Sequence, residues 1–326
     1  MNTERMDLIA YGPVPSRRLG HSLGVNNIPP KICSYSCVYC QLGRSLNISV
    51  ERKELYPPEE IVRRVEKKLQ AARRKGEAVD YLAFVPDGEP TLDLNLGRVI
   101  ENLRPLGVEI AVITNSSLLD RPDVRADLSR ADWVSVKVDA VSEDIWRKLN
   151  RPHKSLDLAA ILKGVREFSR TFRGELATET MLIRGINDGE EETEKIAVFL
   201  SGLKAAKSYL SIPIRPPAEG WVKPAREEEI NRAFQTFAAA GQRTEYLIGY
   251  EGNLFAFTGN VEEDLLSITS VHPMREDGLT EFLARAKSDR SVVTKLLEEN
   301  RLIETEYRGK KFYLRRLPGR PGQGGS

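Results

Sequence analysis

Cys33, Cys37 and Cys40 fall within eight residues of one another, and no other position of the 326-residue chain is a cysteine. Thiolates spaced CxxxCxxC in one loop can each hold one corner of a cubane iron–sulfur cluster, which leaves the fourth iron without a protein ligand and open to a small molecule. An open iron points to chemistry. Two other readings compete. A structural zinc site needs four closed ligands, so the loop would have to recruit a remote His21 or His153 as the fourth. Disulfide pairing leaves one cysteine over, and nothing else in the chain suggests secretion.

The run Cys33-Ser-Tyr-Ser-Cys37-Val-Tyr-Cys40 resembles the motif of the radical S-adenosylmethionine (SAM) superfamily, including the aromatic Tyr39 before the last cysteine. The resemblance implies a [4Fe-4S] cluster on the three cysteines and SAM chelated by the free iron through its amino and carboxylate groups. It implies cleavage of the sulfonium by one electron, giving methionine and a 5′-deoxyadenosyl radical that abstracts hydrogen from a substrate. An electron donor such as flavodoxin or ferredoxin is implied with it. The longer stretch YGPVPSRRLGHSLGVN…CSYSCVYCQLG, from Tyr11 to Gly43, is similar to the branch containing archaeal-type tRNA 4-demethylwyosine synthases and related Fe–S oxidoreductases.

The same resemblance nominates residues for the SAM pocket. Asp87-Gly-Glu-Pro-Thr91 is similar to a GGE motif in which backbone and glutamate bind the SAM ammonium, which nominates Gly88, Glu89 and Pro90; Asp87 stands where the first glycine is usual. Gly88 lets a backbone approach closely, and Glu89 supplies an acceptor for a cation. Thr114-Asn115-Ser116 resembles a TNG segment whose polar side chains face SAM, although a polar strand-to-helix turn reads the same way. In Ser135-Val-Lys-Val-Asp139, where relatives read SLD, Lys137 aligns with the serine and Asp139 with the aspartate. A lysine pointing inward from a strand end is costly unless an anion meets it, so Lys137 is a candidate for the SAM carboxylate, for substrate, for Schiff-base catalysis, or for a buried ion pair. Gly185, in Ile183-Arg-Gly-Ile-Asn-Asp188, is expected on the adenine side. Arg215 and Glu219 stand where substrate contacts are expected, or form an ion pair that ties down a proline-rich loop, and Pro15-Ser-Arg-Arg18 either receives an anion or solvates a loop. His21, His153 and His272 are read as structural.

The elements that must position these residues alternate as βα units. Strands are expected near 22–25 and at 81–85, 108–113, 133–138, 176–183 and 209–214, mostly apolar as in a sheet covered by helices. A helix over 58–75 places Ile61, Val65, Leu69 and Ala72 on one stripe, and one over 156–170 does so with Leu158, Ile161, Leu162, Val165 and Phe168. With the resemblance, the fold class is α/β: a partial (βα)6 TIM-like barrel over residues 1–259, its site at the C-terminal strand ends. Residues 260–316 read as a winged-helix-like domain, with helices at 261–269, 275–287 and 291–300 and strands at 302–307 and 311–314. Residues 317–326 read as a disordered tail.

Formal net charge is +2, so the chain as a whole does not advertise nucleic acid, and any such partner must be met by a local patch. Arg308, Lys310, Lys311, Arg315 and Arg316 on the expected wing provide one. An N-terminus without an apolar core and no run of about 20 apolar residues predict no membrane association and a cytoplasmic location. Demethylwyosine synthase and methyl-transferring relatives need cysteines beyond the cluster loop, and this chain has none. The reading is a single-cluster radical SAM enzyme that abstracts hydrogen from an unassigned substrate, RNA included; the alternative is a nucleic-acid-binding or regulatory protein that senses redox state through its cluster.

Overall fold

The structure is a computed structural model that describes residues 9–45, 47–249 and 252–316; the expected tail at 317–326 lies outside them. An N-terminal hairpin, β1 (Ala10–Ser16) and β2 (Gly20–Val25), is followed by the cysteine loop with its two short strands β3 (Ile32–Cys33) and β4 (Asn47–Ile48). Then come α1 (Pro58–Arg74), β5 (Tyr81–Phe84), α2 (Leu96–Leu103), β6 (Glu109–Thr114), α3 (Pro122–Leu128), β7 (Trp133–Lys137), α4 (Glu143–Asn150) and α5 (Leu158–Thr171). The barrel ends with β8 (Glu175–Met181), α6 (Glu190–Ser201), β9 (Lys207–Ser211), α7 (Glu227–Ala239) and β10 (Thr244–Leu247). The main sheet has the order β1-β2-β5-β6-β7-β8-β9-β10, antiparallel only between β1 and β2.

All six expected strands are present, and the sheet is wider by two. β1 closes one edge by pairing back on β2, and β10 adds a seventh parallel strand beside β9. β10 is short and half exposed, so it lacks the apolar run by which buried parallel strands are recognised.

Period-two alternation sorts the strand residues into two layers. Leu82, Phe84, Ile110, Val112, Val134 and Val136 face outward into the core under the helices, where they meet Ile61, Val65 and Leu69 of α1 and Leu158, Ile161 and Phe168 of α5. The expected helix stripes are therefore the buried ones, except that Leu162 is only partly buried. Facing the other way, Ala83, Ala111 and Ala177 alternate with Trp133 and Tyr209 in a separate apolar layer that fills the inside of the barrel. Above it, toward the strand C-termini, the inward positions turn polar: Lys137, Glu179 and Ser211.

The small C-terminal domain holds α8 (Val261–Thr269), β11 (Met274–Arg275), α9 (Glu276–Arg285), α10 (Ser291–Glu298), β12 (Leu302–Tyr307) and β13 (Lys310–Arg315). Its sheet is antiparallel in the order β11-β13-β12. Its core takes in Tyr11 and Val14 of β1 as well as Phe255, and Lys68 of α1 forms a buried ion pair with Asp264 of α8. Apolar burial thus runs across the boundary expected at 259/260. Among the described residues no helix is long and apolar enough to cross a membrane.

Candidate active site

The cysteine loop is clamped from both sides. On one side, Ser36 N–H donates to the carbonyls of Asn150 (3.1 Å) and Arg151 (3.2 Å), and Val38 N–H donates to that of Leu149 (3.0 Å). These carbonyls belong to the last turn of α4 and its cap, groups a helix end leaves without internal partners. On the other side, Gly88 pairs with Ile32, and Glu89 N–H donates to the Ile32 carbonyl at 3.2 Å. A Cβ on Gly88 would stand 1.9 Å from that carbonyl oxygen, so only glycine lets the loop after β5 lie against the residue preceding Cys33.

The three thiols are free, partly exposed and open on one cavity of about 290 Å³ at the C-terminal ends of the parallel strands. Amide donors face two of them: Asn115 Nδ2 lies 3.5 Å from Cys33 Sγ, and Asn150 Nδ2 lies 3.5 Å from Cys37 Sγ. Burial, then the neighbouring Cys37, raises the Cys33 thiol well above its ordinary value, and burial pushes Cys37 up to about 12. Such thiols ionise against a strong positive partner, which iron supplies. Three sulfurs on one wall, two with amide donors, fit a cubane with one open iron. The zinc reading fits less well. His21 is turned to Asp80 and His153 to Ser155. Among the described residues no group of three or more His, Cys, Asp or Glu side chains is placed to share one ion; cubane ligands, each on its own iron, stand farther apart.

Of the residues nominated from the sequence, Tyr39, Gly88, Glu89, Thr114, Asn115 and Lys137 line this cavity. Pro90, Asp139 and Gly185 do not. Pro90 opens a short 3-10 turn and its carbonyl accepts from Asn27 Nδ2 at 3.0 Å. Asp139 is buried behind Tyr39, where it accepts from the Tyr39 hydroxyl, from Asn150 Nδ2 (2.9 Å) and from Met181 N–H (2.8 Å). It therefore positions Tyr39 and, through Asn150, the Cys37 sulfur. Gly185 turns a loop at φ 68°, its N–H donating to Asp188 Oδ1 at 2.7 Å.

A family model described as the radical SAM superfamily matches residues 27–197. The chain belongs to the radical SAM superfamily. It is 50% identical over 314 residues to a UPF0026 protein of Methanocaldococcus jannaschii, covering 96% of this chain and 97% of that one. It is 27% identical over 155 residues to the dual-specificity RNA methyltransferase RlmN of Campylobacter jejuni, 45% of this chain and 42% of that protein. Among solved structures it superposes on TYW1 bound to a lysine–pyruvate adduct with a TM-score of 0.53 at 17% identity, over 73% of this chain and 78% of that one. The fold is the partial barrel of this superfamily, and its members use a [4Fe-4S] cluster and SAM.

In this radical SAM barrel Glu89 is more tightly held than a simple ligand-facing acid. Its Oε1 accepts from Thr91 N–H (3.2 Å), Thr91 Oγ1 (2.7 Å) and Thr114 Oγ1 (2.6 Å), and its Oε2 accepts from Asn115 N–H (2.8 Å). Burial raises its carboxyl, and these donors oppose the rise. The carboxylate thus binds the loops after β5 and β6 together, and through Asn115 it reaches the Cys33 sulfur. Asp87, in the place of the usual glycine, forms a buried ion pair with Lys31 at 3.3 Å.

The opposite wall carries a charge cluster that motif reading did not assemble. Lys137 Nζ stands 3.3 Å from Glu179 Oε1, because β7 and β8 pair in parallel with Lys137 in register with Glu179. Arg18 of the β1–β2 turn pairs with the other Glu179 oxygen, and Ser211 Oγ donates to Oε1 at 3.2 Å. Burial pushes Glu179 up, but Arg18 and Lys137 outweigh it and hold the carboxyl at about 2. Burial pulls Lys137 down, yet Glu179 and Asp139 leave its pKa above the ordinary value. Lys137 is a charged ammonium, 4.9 Å from the centre of the Tyr39 ring. Glu179 sits in a mostly polar strand stretch without a motif; only its alternation with Ala177 marks it as inward-facing.

Among the described residues, the C-terminal domain meets the cavity rim through Gln41, Arg215 and Pro213. Gln41, next to Cys40, donates to the Val271 carbonyl at 3.1 Å. Arg215, which lines the cavity, contacts Gln41 Oε1 at 3.0 Å and His272 Nε2 at 2.8 Å. Tyr307 of β12 donates to the Pro213 carbonyl at 3.3 Å. Glu219 is not among the residues lining the cavity and pairs with Arg44 (2.8 Å) and Arg151, while Arg215 contacts Gln41 and His272, so the proline-rich loop is tied to residues outside it and not by the ion pair of its own that the sequence suggested.

Proposed function

We propose that the protein abstracts hydrogen from an RNA substrate whose phosphates lie along the C-terminal domain, which we read as winged-helix-like. When bound, the reduced cluster supplies the electron that cleaves SAM to methionine and the 5′-deoxyadenosyl radical. The chain's own residues hold the reactants. Asn115 and Asn150 would donate to the sulfurs of a bound cluster, and Lys137 and Arg18, which line the cavity, would offer positive charge to a carboxylate or phosphate.

The observation that carries the RNA reading is the contact between Tyr307 and Pro213. It sets the β12–β13 turn, with exposed Arg308 and Lys310, beside a residue of the cavity lining. A basic turn at the mouth of a radical cavity suits a long anionic substrate whose backbone is held outside while one base enters. Likeness to an RNA methyltransferase supports the substrate class, but its reaction does not carry over. All three cysteines of this chain lie in the cluster loop, which favours hydrogen abstraction followed by rearrangement, elimination, oxidation or carbon–carbon bond formation. A charged Lys137 argues for electrostatic anchoring over Schiff-base catalysis.

The test is binding of tRNA and duplex RNA to the anaerobically reconstituted protein across salt concentrations. Replacing Arg308 and Lys310 with alanine should weaken binding and flatten the log–log salt slope by roughly 0.7–0.9 for each phosphate no longer neutralised, with substrate-free SAM cleavage unchanged. Absence of RNA binding at low salt by the intact protein would overturn the substrate class.

A further inference from the structure

Both ends of the cysteine loop and the loop after β5 converge on Lys31. It adopts φ 67°, a left-handed conformation that is unfavourable for a residue with a side chain and persists where the surroundings hold it. Backbone and side chain both do so here. Lys31 N–H donates to the Asp87 carbonyl at 2.7 Å, and the Lys31 carbonyl accepts from Asn47 N–H at 3.3 Å. Its ammonium reaches across to the far end of the loop and donates to the carbonyls of Leu42 and Gly43, the latter at 3.3 Å. The Asp87 carboxylate stands 3.3 Å from the same ammonium, and both side chains are buried.

That grip falls on the turn that carries Cys40. Cys40 N–H donates to the Cys37 carbonyl (3.1 Å) and Gly43 N–H to the Cys40 carbonyl (3.0 Å). Residues 37–43 are thus two successive turns, and the second ends on the carbonyls that Lys31 holds. Asn115 and Asn150 face the sulfurs of Cys33 and Cys37; Lys31 fixes the third cysteine through the backbone that follows it.

The closure also brings charge. Lys31 and Asp87 line the same cavity as the three cysteines. Buried charges are weakly screened, and net charge is one of the properties that set the potential of an iron–sulfur cluster. An ammonium favours the reduced, more negative cluster, and a carboxylate opposes it. Asp87 stands where the motif it resembles has an uncharged glycine, so here the lysine that closes the loop has its counter-charge within the motif itself.

We propose that Lys31 is a positioning residue for the cluster: its ammonium closes the cysteine loop behind Cys40, and Asp87 balances the positive charge that this closure brings to the cavity wall. The inference concerns the resident cluster and not the substrate, so it stands or falls independently of the RNA reading.

The experiment compares the wild-type full chain with Lys31→Met, Asp87→Asn and the double variant, each as apoprotein and after anaerobic reconstitution. Limited chymotrypsin digestion of the apoprotein reads closure, because Tyr35, Tyr39 and Leu42 are buried and are cut when the loop opens. Lys31→Met should speed cleavage there about tenfold, the order of effect of losing hydrogen bonds from a charged donor. Asp87→Asn keeps an acceptor for the ammonium and should be cut at close to the wild-type rate. A spectroscopic redox titration of the reconstituted proteins without SAM reads charge. Lys31→Met should make the cluster potential more negative, Asp87→Asn should make it more positive, and the double variant should return it close to wild type while its loop stays as easily cut as in Lys31→Met. A residue that served the fold alone would not give opposite signs. Shifts of the same sign, an unshifted potential in Asp87→Asn, or wild-type cleavage of Lys31→Met would each overturn the proposal. Should Lys31→Met take up no iron, the potential of Asp87→Asn still decides the charge balance and the digestion still decides the closure.

Discussion

Replacing Glu179 with glutamine tests whether the cavity wall depends on one carboxylate between two cations. Glu179 is 7% exposed, contacts Arg18 and Lys137, and has its carboxyl drawn from an ordinary 4.5 to about 2. At 1.36 kcal/mol per pH unit, that difference favours the ionised form by roughly 3 kcal/mol. Removing one member of a buried pair costs a similar 3–5 kcal/mol or so, because the partner charges stay buried. Glu179→Gln should therefore lower unfolding free energy at pH 7 by about 3 kcal/mol, measured by urea denaturation under anaerobic conditions. The sign of the pH dependence follows from a depressed folded-state pKa. The stability conferred by Glu179 is full above its unfolded value near 4.5 and is lost as pH falls toward about 2. The gap between wild type and variant should thus close across that window. Adding Lys137→Met to Glu179→Gln should recover part of the loss, since it withdraws a stranded ammonium. A destabilisation below about 1 kcal/mol at pH 7, or a gap that stays constant through the acid window, would refute the reasoning.

Other outcomes follow from the cysteine loop. Cys33→Ala, Cys37→Ala and Cys40→Ala should each prevent stable assembly of one [4Fe-4S] cluster per chain; iron analysis decides this, and stoichiometric zinc in the native protein would contradict it. Asn150→Leu removes the amide facing the Cys37 sulfur and should make the cluster potential more negative in a spectroscopic redox titration, because hydrogen bonds to sulfur stabilise the reduced state. Gly88→Ala pushes a methyl into the Ile32 carbonyl and should cost about 1–3 kcal/mol, with loss of iron on desalting as the readout.

Local order leaves clear marks in the sequence. The helix stripes of α1 and α5 are legible because a 3.6-residue period records which face is buried, and β5, β6 and β7 because their runs are largely apolar. β10 is not legible because its exposure removes that mark, and β1 because it lies within the motif-bearing N-terminal stretch. Among site residues, those in runs that resemble family motifs are recognisable, yet proximity in a motif does not decide which ones face the cavity. Lys137 lines it, while Asp139, two residues on, is packed behind Tyr39.

By itself, then, the sequence determined the chemistry: three cysteines in one loop, none elsewhere, and the polar runs after successive strands commit the chain to a cluster with an open iron. Tertiary structure alone decided which distant groups meet. Glu179 finds Lys137 through β-strand register and Arg18 across 161 positions of sequence; Glu219 joins Arg44 to Arg151 across the cysteine loop; Gln41 and Arg215 meet Val271 and His272 of the C-terminal domain, whose core also takes in Tyr11 and Val14 of β1. Periodicity carries information over one turn of helix or two residues of strand, whereas these contacts depend on how the sheet curls and on which residues stand side by side once it has.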